Sequence, residues 1–440
     1  MRVGTELVRY VSDLSYGDIP KDVVLQAKRT VLDTLGTIYM GAHKEEAKGL
    51  LEFLRKNGDR PECTVVGANF KVSCASAAFA NSTYSMVHDA NDGHRDAAAL
   101  GGTSHPGCIA IPTALAVGEK CALSGKEVLT SIVIGYDVMT RIRGMEKRPP
   151  SGAYGAAAIA GRLLELNGEQ LLHAMGIAGY HGPSRFAPEE MGGYAVKFLA
   201  AGYQAKAGIE AAMLAKEGMT GPPLGDDKRL TKRFTTRGLG KEFEIMNIYI
   251  KPYPTCRMTH AAIDATLDLR RRHGIGASEV EKVMIHQLTH GMYVAKEKIK
   301  PDNSFIKAQF DIRYVTACAL IDGEIEERQF TKERIADPNV HKLVEKIDVI
   351  EDEELDKTYP EARPVIVEVT TKSGRTYTSR VDYPKGDPQN PLTDKELFEK
   401  FKRWTGPSIS NDQKEKIREA IFNLDEAKDL STLMDLICSK

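Results

Sequence analysis

Several features that would assign a sequence to a common class are missing from this chain of 440 residues. No run of about 18 apolar residues occurs, so no membrane span is predicted. The first residues lack the apolar stretch of a signal peptide, and we therefore expect a cytoplasmic protein. Acidic and basic residues nearly balance, and the net charge of −1 indicates neither nucleic-acid nor membrane binding.

Sequence motifs for bound groups are also missing. The seven cysteines are scattered without a Cys-x-x-Cys pair, so neither a disulfide framework nor an iron–sulfur site is indicated. No Rossmann glycine fingerprint follows a strand, and no glycine-lysine motif of a phosphate loop is present. We therefore expect no cofactor.

The first half of the chain, in contrast, is rich in helical patterns. Asp18 and Pro20 mark the start of a helix. The apolar residues that follow recur at three- and four-residue spacing: Val24, Ala27, Val31, Leu35 and Ile38. Further helical patterns cover residues 109–121, 125–143, 153–166, 168–180 and 195–218. Helices of this kind, rich in alanine and leucine, are expected to pack closely in an all-helical domain.

The pattern changes after the Gly-Pro-Pro turn at 221–223. Strand-like runs and intervening helical patterns follow, the strands at 280–288, 364–371 and 376–381 and the helices at 258–272 and 306–320. A smaller α+β domain is therefore predicted. Helical patterns return at 392–401 and 411–437.

A polar loop between two apolar helices is the first candidate for a site. Residues 86–107 contain glycine and proline that argue against a long helix. Their chemistry-bearing side chains are His88, Asp89, Asp92, His94 and His105. The flanking segments, 75–84 and 108–117, are predicted to be buried helices that hold the loop at its ends. This arrangement is typical of a catalytic loop.

The same side chains also allow a metal site, because imidazole and carboxylate ligands are chemically reasonable for one. No His-x-x-x-His on a helix face and no Cys-x-x-Cys accompanies them. We therefore prefer an acid–base loop without a metal. A purely structural role for any single histidine stays open.

Positively charged residues mark two further segments. Lys197 stands in an otherwise apolar helix start, and residues 251–260 form a two-proline turn before a helix. The turn carries Lys251, Cys256, Arg257 and His260. Because helix N-termini have positive potential, Arg257 is suited to hold a carboxylate. A lysine taken alone is equally explained as a surface residue whose stem covers apolar neighbours.

Taken together, these segments resemble the MmgE/PrpD family. The matching motifs follow one another along nearly the whole chain: Asp89 with His105-Pro106-Gly107, the Lys197 segment, residues 218–222, residues 251–264, Tyr314 with residues 320–323, and residues 383–394. Each motif is weak alone, but their common order is specific for the family and its fold.

The resemblance implies a mainly α fold, with a large all-helical domain and an inserted smaller α+β lid domain. The expected boundaries are residues 1–245 for the first part of the helical domain, 246–388 for the lid, and 389–440 for C-terminal helices that return to the helical domain. A cleft between the domains, a homodimer and independence from cofactors are also implied.

The family includes 2-methylcitrate dehydratase, iminodisuccinate epimerase and cis-aconitate decarboxylase, which share small polycarboxylate substrates. By resemblance, the catalytic residues are Asp89, His105, Lys197 and Tyr314. The substrate-binding residues are Lys251, Cys256, Arg257, His260 and Arg185. In this scheme the cations hold the carboxylates, while Asp89 and His105 form the acid–base pair.

Departures from the family pattern weaken the decarboxylase hypothesis. Gly93 stands where decarboxylase-like members have threonine, and Cys256 stands where they have histidine. Residues 149–152 read Pro-Pro-Ser-Gly where many members have His-Pro-Thr-Gly. We therefore expect a cofactor-independent lyase, similar to 2-methylcitrate dehydratase, that abstracts a proton next to a carboxylate. The alternative is a dicarboxylate epimerase, ahead of a decarboxylase or a non-catalytic polycarboxylate-binding dimer.

Overall fold

The first half of the chain folds almost entirely into helices. The computed structural model describes residues 3–57, 59–95, 105–141, 151–181, 196–222 and 235–438. The first helices are α1 (Val3–Asp13), α2 (Lys21–Ala42), α3 (Glu45–Lys56), α4 (Cys74–Met86), α5 (Gly107–Lys120), α6 (Gly125–Thr140), α7 (Ser151–Leu163), α8 (Gly168–His181) and α9 (Val196–Lys216). Two short antiparallel pairs join β1 (Cys63–Thr64) to β2 (Lys71–Val72) and β3 (Gly93–His94) to β4 (Ile248–Tyr249). The mainly α fold expected from the sequence is confirmed.

Helix α2 lies deep among these helices. The apolar face from Val24 to Ile38 is buried, as the spacing predicts. From Thr30 to Gly41 every residue is buried, because α4 and a C-terminal helix cover the other sides of α2. Apolar periodicity therefore identifies α2 correctly but understates how completely it is enclosed.

Glycine allows the central helices to approach one another closely. A Cβ at Gly41 of α2 would lie 1.9 Å from the carbonyl oxygen of Tyr84 in α4. A Cβ at Gly208 of α9 would similarly lie 2.4 Å from the Cβ of Ala156 in α7. The α2–α4 contact is close to the end of α4, so it also positions the polar loop that follows.

The second half adds a four-stranded sheet and its covering helices. The strands are β5 (Val280–Gln287), β6 (Ile347–Glu351), β7 (Val365–Thr371) and β8 (Thr376–Val381), in the order β6-β5-β7-β8. Strand β5 pairs in parallel with β6, and the remaining pairs are antiparallel. Strand β6 had no sequence signal, because its mixed charged and apolar residues lie mostly exposed at the sheet edge.

Two predicted helices are interrupted in the structure. The helices of this half are α10 (His260–His273), α11 (Phe305–Gln309), α12 (Ile312–Asp322), α13 (Lys332–Ile335), α14 (Pro338–Val344), α15 (Glu353–Asp356), α16 (Asp394–Thr405), α17 (Asn411–Phe422) and α18 (Ser431–Ile437). The predicted helix at 306–320 divides because Asp311 caps α12, accepting hydrogen bonds from the N–H groups of Arg313 and Tyr314. The predicted segment 411–437 divides into α17 and α18, with a short 3-10 turn at Leu424–Glu426 between them.

Buried apolar side chains form two main clusters. The first combines residues between 7 and 250 with Ile306 and with residues between 392 and 437, and the second lies between residues 256 and 369. Lys400 of α16 forms a buried ion pair with Asp33 of α2, which ties the two ends of the chain together. Across the described ranges, no helix is long and apolar enough to cross a membrane.

The substitution Gly41→Ala tests the α2–α4 contact. The added methyl group meets the backbone of Tyr84, so we expect the free energy of unfolding to fall by about 1–3 kcal/mol. Gly49→Ala on α3 is the control, since a Cβ there meets no atom within 4 Å. Alanine favours the helix and should stabilise this variant by up to about 1 kcal/mol. Urea denaturation measures both, and a neutral Gly41→Ala would contradict the close packing.

Candidate active site

Asp89 lies at the centre of the candidate site, just beyond the end of α4. Its side chain is buried, and its φ of 51° is in the left-handed region that residues other than glycine rarely adopt. Nζ of Lys197 donates to Oδ1 at 3.0 Å. Nζ of Lys251 donates to Oδ2 at 2.8 Å and to the main-chain oxygen of Asp89 at 2.7 Å. One carboxylate therefore joins the polar loop, helix α9 and the segment after β4.

The surroundings of Asp89 keep it ionised. Burial acts to raise the pKa of its carboxyl, but the charges of Lys197 and Lys251 outweigh this effect, with a further contribution from His105. The pKa is therefore held well below its ordinary range. At neutral pH Asp89 is an anion between two ammonium groups, which suits a residue that orients cations better than one that donates a proton.

The two lysines differ in how exposed their side chains are. The side chain of Lys251 is 1% exposed, and two hydrogen bonds tie it to Asp89. The side chain of Lys197 is 14% exposed, and its ammonium lies 4.5 Å from the ring centre of Phe310. Because an ammonium group has three donors, Lys197 retains capacity for a further anionic partner.

His105 is positioned by Asp92 of the same loop. Its Nδ1 lies 2.8 Å from the main-chain oxygen of Asp92. A carbonyl oxygen can only accept, so in the neutral ring Nδ1 carries the proton and the basic lone pair is on Nε2. The carboxyl of Asp92 accepts hydrogen bonds from the N–H of Gly107 at 3.0 Å and from the hydroxyl of Tyr136 at 2.6 Å. These bonds fix the loop to the start of α5.

The turn before α10 contributes side chains from the second half of the chain. Sγ of Cys256 lies 3.1 Å from the hydroxyl of Tyr293. Burial raises the pKa of Cys256, and the charge of Asp89 raises it further, so the thiol stays protonated and lies within electrostatic reach of Asp89. Burial likewise keeps the pKa of His260 well below its usual value, with Arg257 and Lys251 acting in the same direction. His260 is therefore neutral.

Arg257 lies in the 3-10 turn that precedes α10. Its guanidinium forms a buried ion pair with Asp387 and lies 4.7 Å from the ring centre of Tyr249. Within the described part of the chain, its Nε and Nη1 have no hydrogen-bond partner. Asp89, Lys197 and Lys251 are called the Asp89 group below. The structure thus brings Arg257, Cys256 and His260 to the same region as this group.

Other predicted site residues have different surroundings. Tyr314 is buried in the second apolar cluster, where its hydroxyl donates to the carbonyl oxygen of Gln329 and its ring centre lies 6.1 Å from that of Phe330. Among the described residues, none of its contacts is to the Asp89 group, and its catalytic role stays a prediction. Arg185 lies outside the described residues.

The remaining histidines of the loop contact other parts of the protein. Nε2 of His94 lies 2.9 Å from a carboxylate oxygen of Glu244. His88 is buried against the ring of Phe305, and burial keeps its pKa well below the usual value. Within the described ranges, no three His, Cys, Asp or Glu side chains are arranged to hold a metal ion.

Three residues of the region were not predicted from the sequence: Tyr249, Tyr293 and Arg363. Burial raises the pKa of Tyr249, while the charges of Arg257 and Arg363 act to lower it and that of Asp89 acts to raise it. The phenol of Tyr249 is therefore within electrostatic reach of all three charged groups. The position of Tyr249, two residues before Lys251, is a signal that could have identified it. Tyr293 and Arg363 lie outside the motif segments and have no such signal.

Comparison with known families agrees with the motifs. The model of the MmgE/PrpD N-terminal domain matches residues 5–229, and that of the C-terminal domain matches residues 253–426. This chain belongs to the MmgE/PrpD family. The resemblance inferred from the motifs is confirmed.

Relatives of this MmgE/PrpD protein are similar over nearly their full length. The cis-aconitate decarboxylase-like protein oryM of Aspergillus oryzae is 26% identical, over 99% of this chain and 97% of that protein. Human cis-aconitate decarboxylase is 26% identical, over 97% of this chain and 92% of that protein. Mitochondrial 2-methylcitrate dehydratase of Yarrowia lipolytica is 24% identical, over 96% of this chain and 88% of that protein.

The substitution Asp92→Asn tests the buried carboxyl of Asp92, the residue whose main-chain oxygen positions His105. Burial raises the pKa of Asp92 from 3.8 to about 7, against the effect of the Tyr136 hydrogen bond. The folded protein therefore holds this proton up to about pH 7, whereas the unfolded chain loses it near pH 4. The contribution of this group to stability is greatest at low pH and is lost as the pH rises through that window. Asparagine does not titrate. As the pH rises through this window, the free energy of unfolding of the variant should therefore increase relative to that of the wild type, by up to about 4 kcal/mol.

Urea denaturation at several pH values between about 4.5 and 8 measures this difference. Denaturation curves whose separation does not change with pH would contradict a raised pKa at Asp92.

Proposed function

We propose that this protein is a cofactor-independent lyase that removes a proton from a carbon next to a carboxylate of a small polycarboxylate. The observation that carries the proposal is the Asp89 carboxylate, which holds Lys197 and Lys251 beside His105. Lyase chemistry of this kind needs cations to bind carboxylates and a base that titrates near neutral pH. Membership of the MmgE/PrpD family supports the same conclusion.

The proposed substrate lies between the two halves of the site. Lys197 binds one carboxylate from the helical domain, and Arg257 binds another from the turn before α10. Lys251 and Asp89 hold Lys197 in place and do not themselves need to touch the substrate. A molecule with at least two carboxylates fits this arrangement of charges.

The proposed dehydration uses His105 as both base and acid. Nε2 takes the proton from the carbon, and the electron pair of that C–H bond forms the double bond as the neighbouring C–O bond breaks. The protonated imidazole then gives its proton to the departing hydroxyl group, which leaves as water. Lys197 stabilises the negative charge that develops on the carboxylate next to the reacting carbon.

Decarboxylation is the second candidate, because the relatives include proteins named cis-aconitate decarboxylase. In that reaction a C–C bond breaks, carbon dioxide leaves, and the carbanion takes a proton. Gly93 and Cys256, where decarboxylase-like members have threonine and histidine, favour dehydration over it. Epimerisation needs the same proton abstraction without loss of a group. We also propose a homodimer, as the family resemblance implies.

Product analysis tests the reaction. The protein is incubated in deuterated water with hydroxy, unsaturated and imino polycarboxylates, and the mixtures are followed by NMR. Dehydration predicts vinyl signals from a hydroxy substrate, and reversal of the first step predicts deuterium in recovered substrate because the partly exposed His105 exchanges with solvent. Carbon dioxide released from an unsaturated substrate would instead establish decarboxylation. Absence of both products and of exchange across the panel would contradict the proposal.

Three alanine variants separate the base from the binding groups. His105→Ala should abolish deuterium exchange while the substrate still binds. Lys197→Ala should weaken binding roughly 10- to 150-fold, the loss expected for one charge-assisted hydrogen bond, and retain exchange at saturating substrate. Lys206→Ala is the control, since this lysine of α9 pairs with Glu210 on the surface. Exchange that survives in His105→Ala would assign the base elsewhere.

A further inference from the structure

Arg363 is a buried arginine that belongs to no family motif identified in the sequence. It lies just before β7 and is 7% exposed. Its guanidinium lies 5.7 Å from the ring centre of Tyr359 and donates a hydrogen bond through Nη2 to the carbonyl oxygen of Arg95. It therefore reaches from the second half of the chain to the polar loop, at the residue directly after β3.

Arg363 and Arg257 both contact the short β3–β4 pair. Arg363 donates to the carbonyl oxygen of Arg95, which directly follows β3, and Arg257 lies over the ring of Tyr249 in β4. The charge of Arg363 acts to lower the pKa of Arg257, in addition to the larger effect of burial. Both guanidinium groups also act on the buried phenol of Tyr249, as Asp89 does. The two arginines thus lie where side chains from the second half of the chain meet Asp89 and the polar loop.

Within the described residues, the nearby carboxylates leave donors of this pair without a partner. Asp387 pairs with Arg257 through Nη2, while Nε and Nη1 of that arginine are buried without a hydrogen-bond partner in the described part of the chain. Asp264 is also within electrostatic reach, but its oxygens accept hydrogen bonds from the Tyr253 hydroxyl and the N–H of Lys385, both at 2.6 Å. Buried cations with unpaired donors are costly unless an anion binds them.

We propose that Arg363 and Arg257 together bind a carboxylate of the substrate, remote from the one held by Lys197, and so make the site selective for molecules with two or more carboxylates. Guanidinium groups present paired donors that match the two oxygens of a carboxylate. This inference rests on the proposed function, because it assumes that the site between Lys197 and Arg257 binds a polycarboxylate.

Binding of unreactive acids tests the inference without requiring turnover. Calorimetry at fixed ionic strength compares tricarballylate, glutarate and butyrate, which carry three, two and one carboxylates. Arg363→Met should weaken tricarballylate and glutarate roughly 10- to 150-fold and leave butyrate nearly unchanged. Arg375→Met is the control, since Arg375 is exposed at the β7–β8 turn and its loss changes the net charge equally.

Arg363→Lys provides a second variant if methionine prevents folding. It keeps the charge but loses the paired donors, so the affinity for both polycarboxylates should fall while butyrate again binds as in the wild type. Equal affinities of wild type and both Arg363 variants for tricarballylate would overturn the role of Arg363 and leave the proposed function intact. A uniform loss of affinity for all three acids would also overturn the role of Arg363. Failure of the wild-type protein to bind any polycarboxylate would instead overturn the proposed function and this inference with it.

Discussion

The site depends on the buried carboxylate of Asp89. It accepts hydrogen bonds from two lysines that are more than a hundred positions away in the sequence. Each of these ammonium groups would be costly to bury alone, and together they would repel one another. The carboxylate removes both penalties and leaves Lys197 able to contact an anion. The left-handed backbone at Asp89 is compatible with this role, because strained conformations persist where surrounding contacts determine them.

A second group of buried charges lies beneath the same loop. Asp33 of α2 and Lys400 of α16 form an ion pair, and the Lys400 ammonium lies 3.8 Å from the ring centre of Trp404. Burial lowers the pKa of Lys400 to about 8, although Asp33 acts to raise it. Asp33 in turn adds to the raised pKa of Asp92, whose main-chain oxygen positions His105. The C-terminal helices therefore contribute to the electrostatics of a loop that is distant from them in sequence.

Much of the fold could be predicted because helices and strands depend on local periodicity. The helices on either side of the polar loop and the strands β5, β7 and β8 agree with their patterns to within a few residues. Strand β6 could not be predicted in this way, since an exposed edge strand has no continuous apolar face. The division of the helix at 306–320 depends on the cap formed by Asp311, a single polar residue within an apolar pattern.

The candidate site was predictable in its motifs but not in its full membership. Asp89, Lys197, Lys251 and Arg257 stand in segments whose composition is unusual for their surroundings, and the structure brings these segments together. Tyr249 and Arg363 carry no comparable signal. Their proximity to the site follows from the short β3–β4 pairing and from the position of β7 in the four-stranded sheet.

The sequence by itself determined the helical character of the chain, the location of the polar loop and the family to which the protein belongs. The tertiary structure decided which of the polar groups meet and what charge each carries. Asp89 and Asp92 illustrate the difference, because they lie in one loop and have opposite pKa shifts. Lys197 and Lys251 lower the pKa of Asp89, whereas burial raises that of Asp92 to about 7. Desolvation and Coulomb interactions depend on neighbours in space, and these neighbours come from distant parts of the chain.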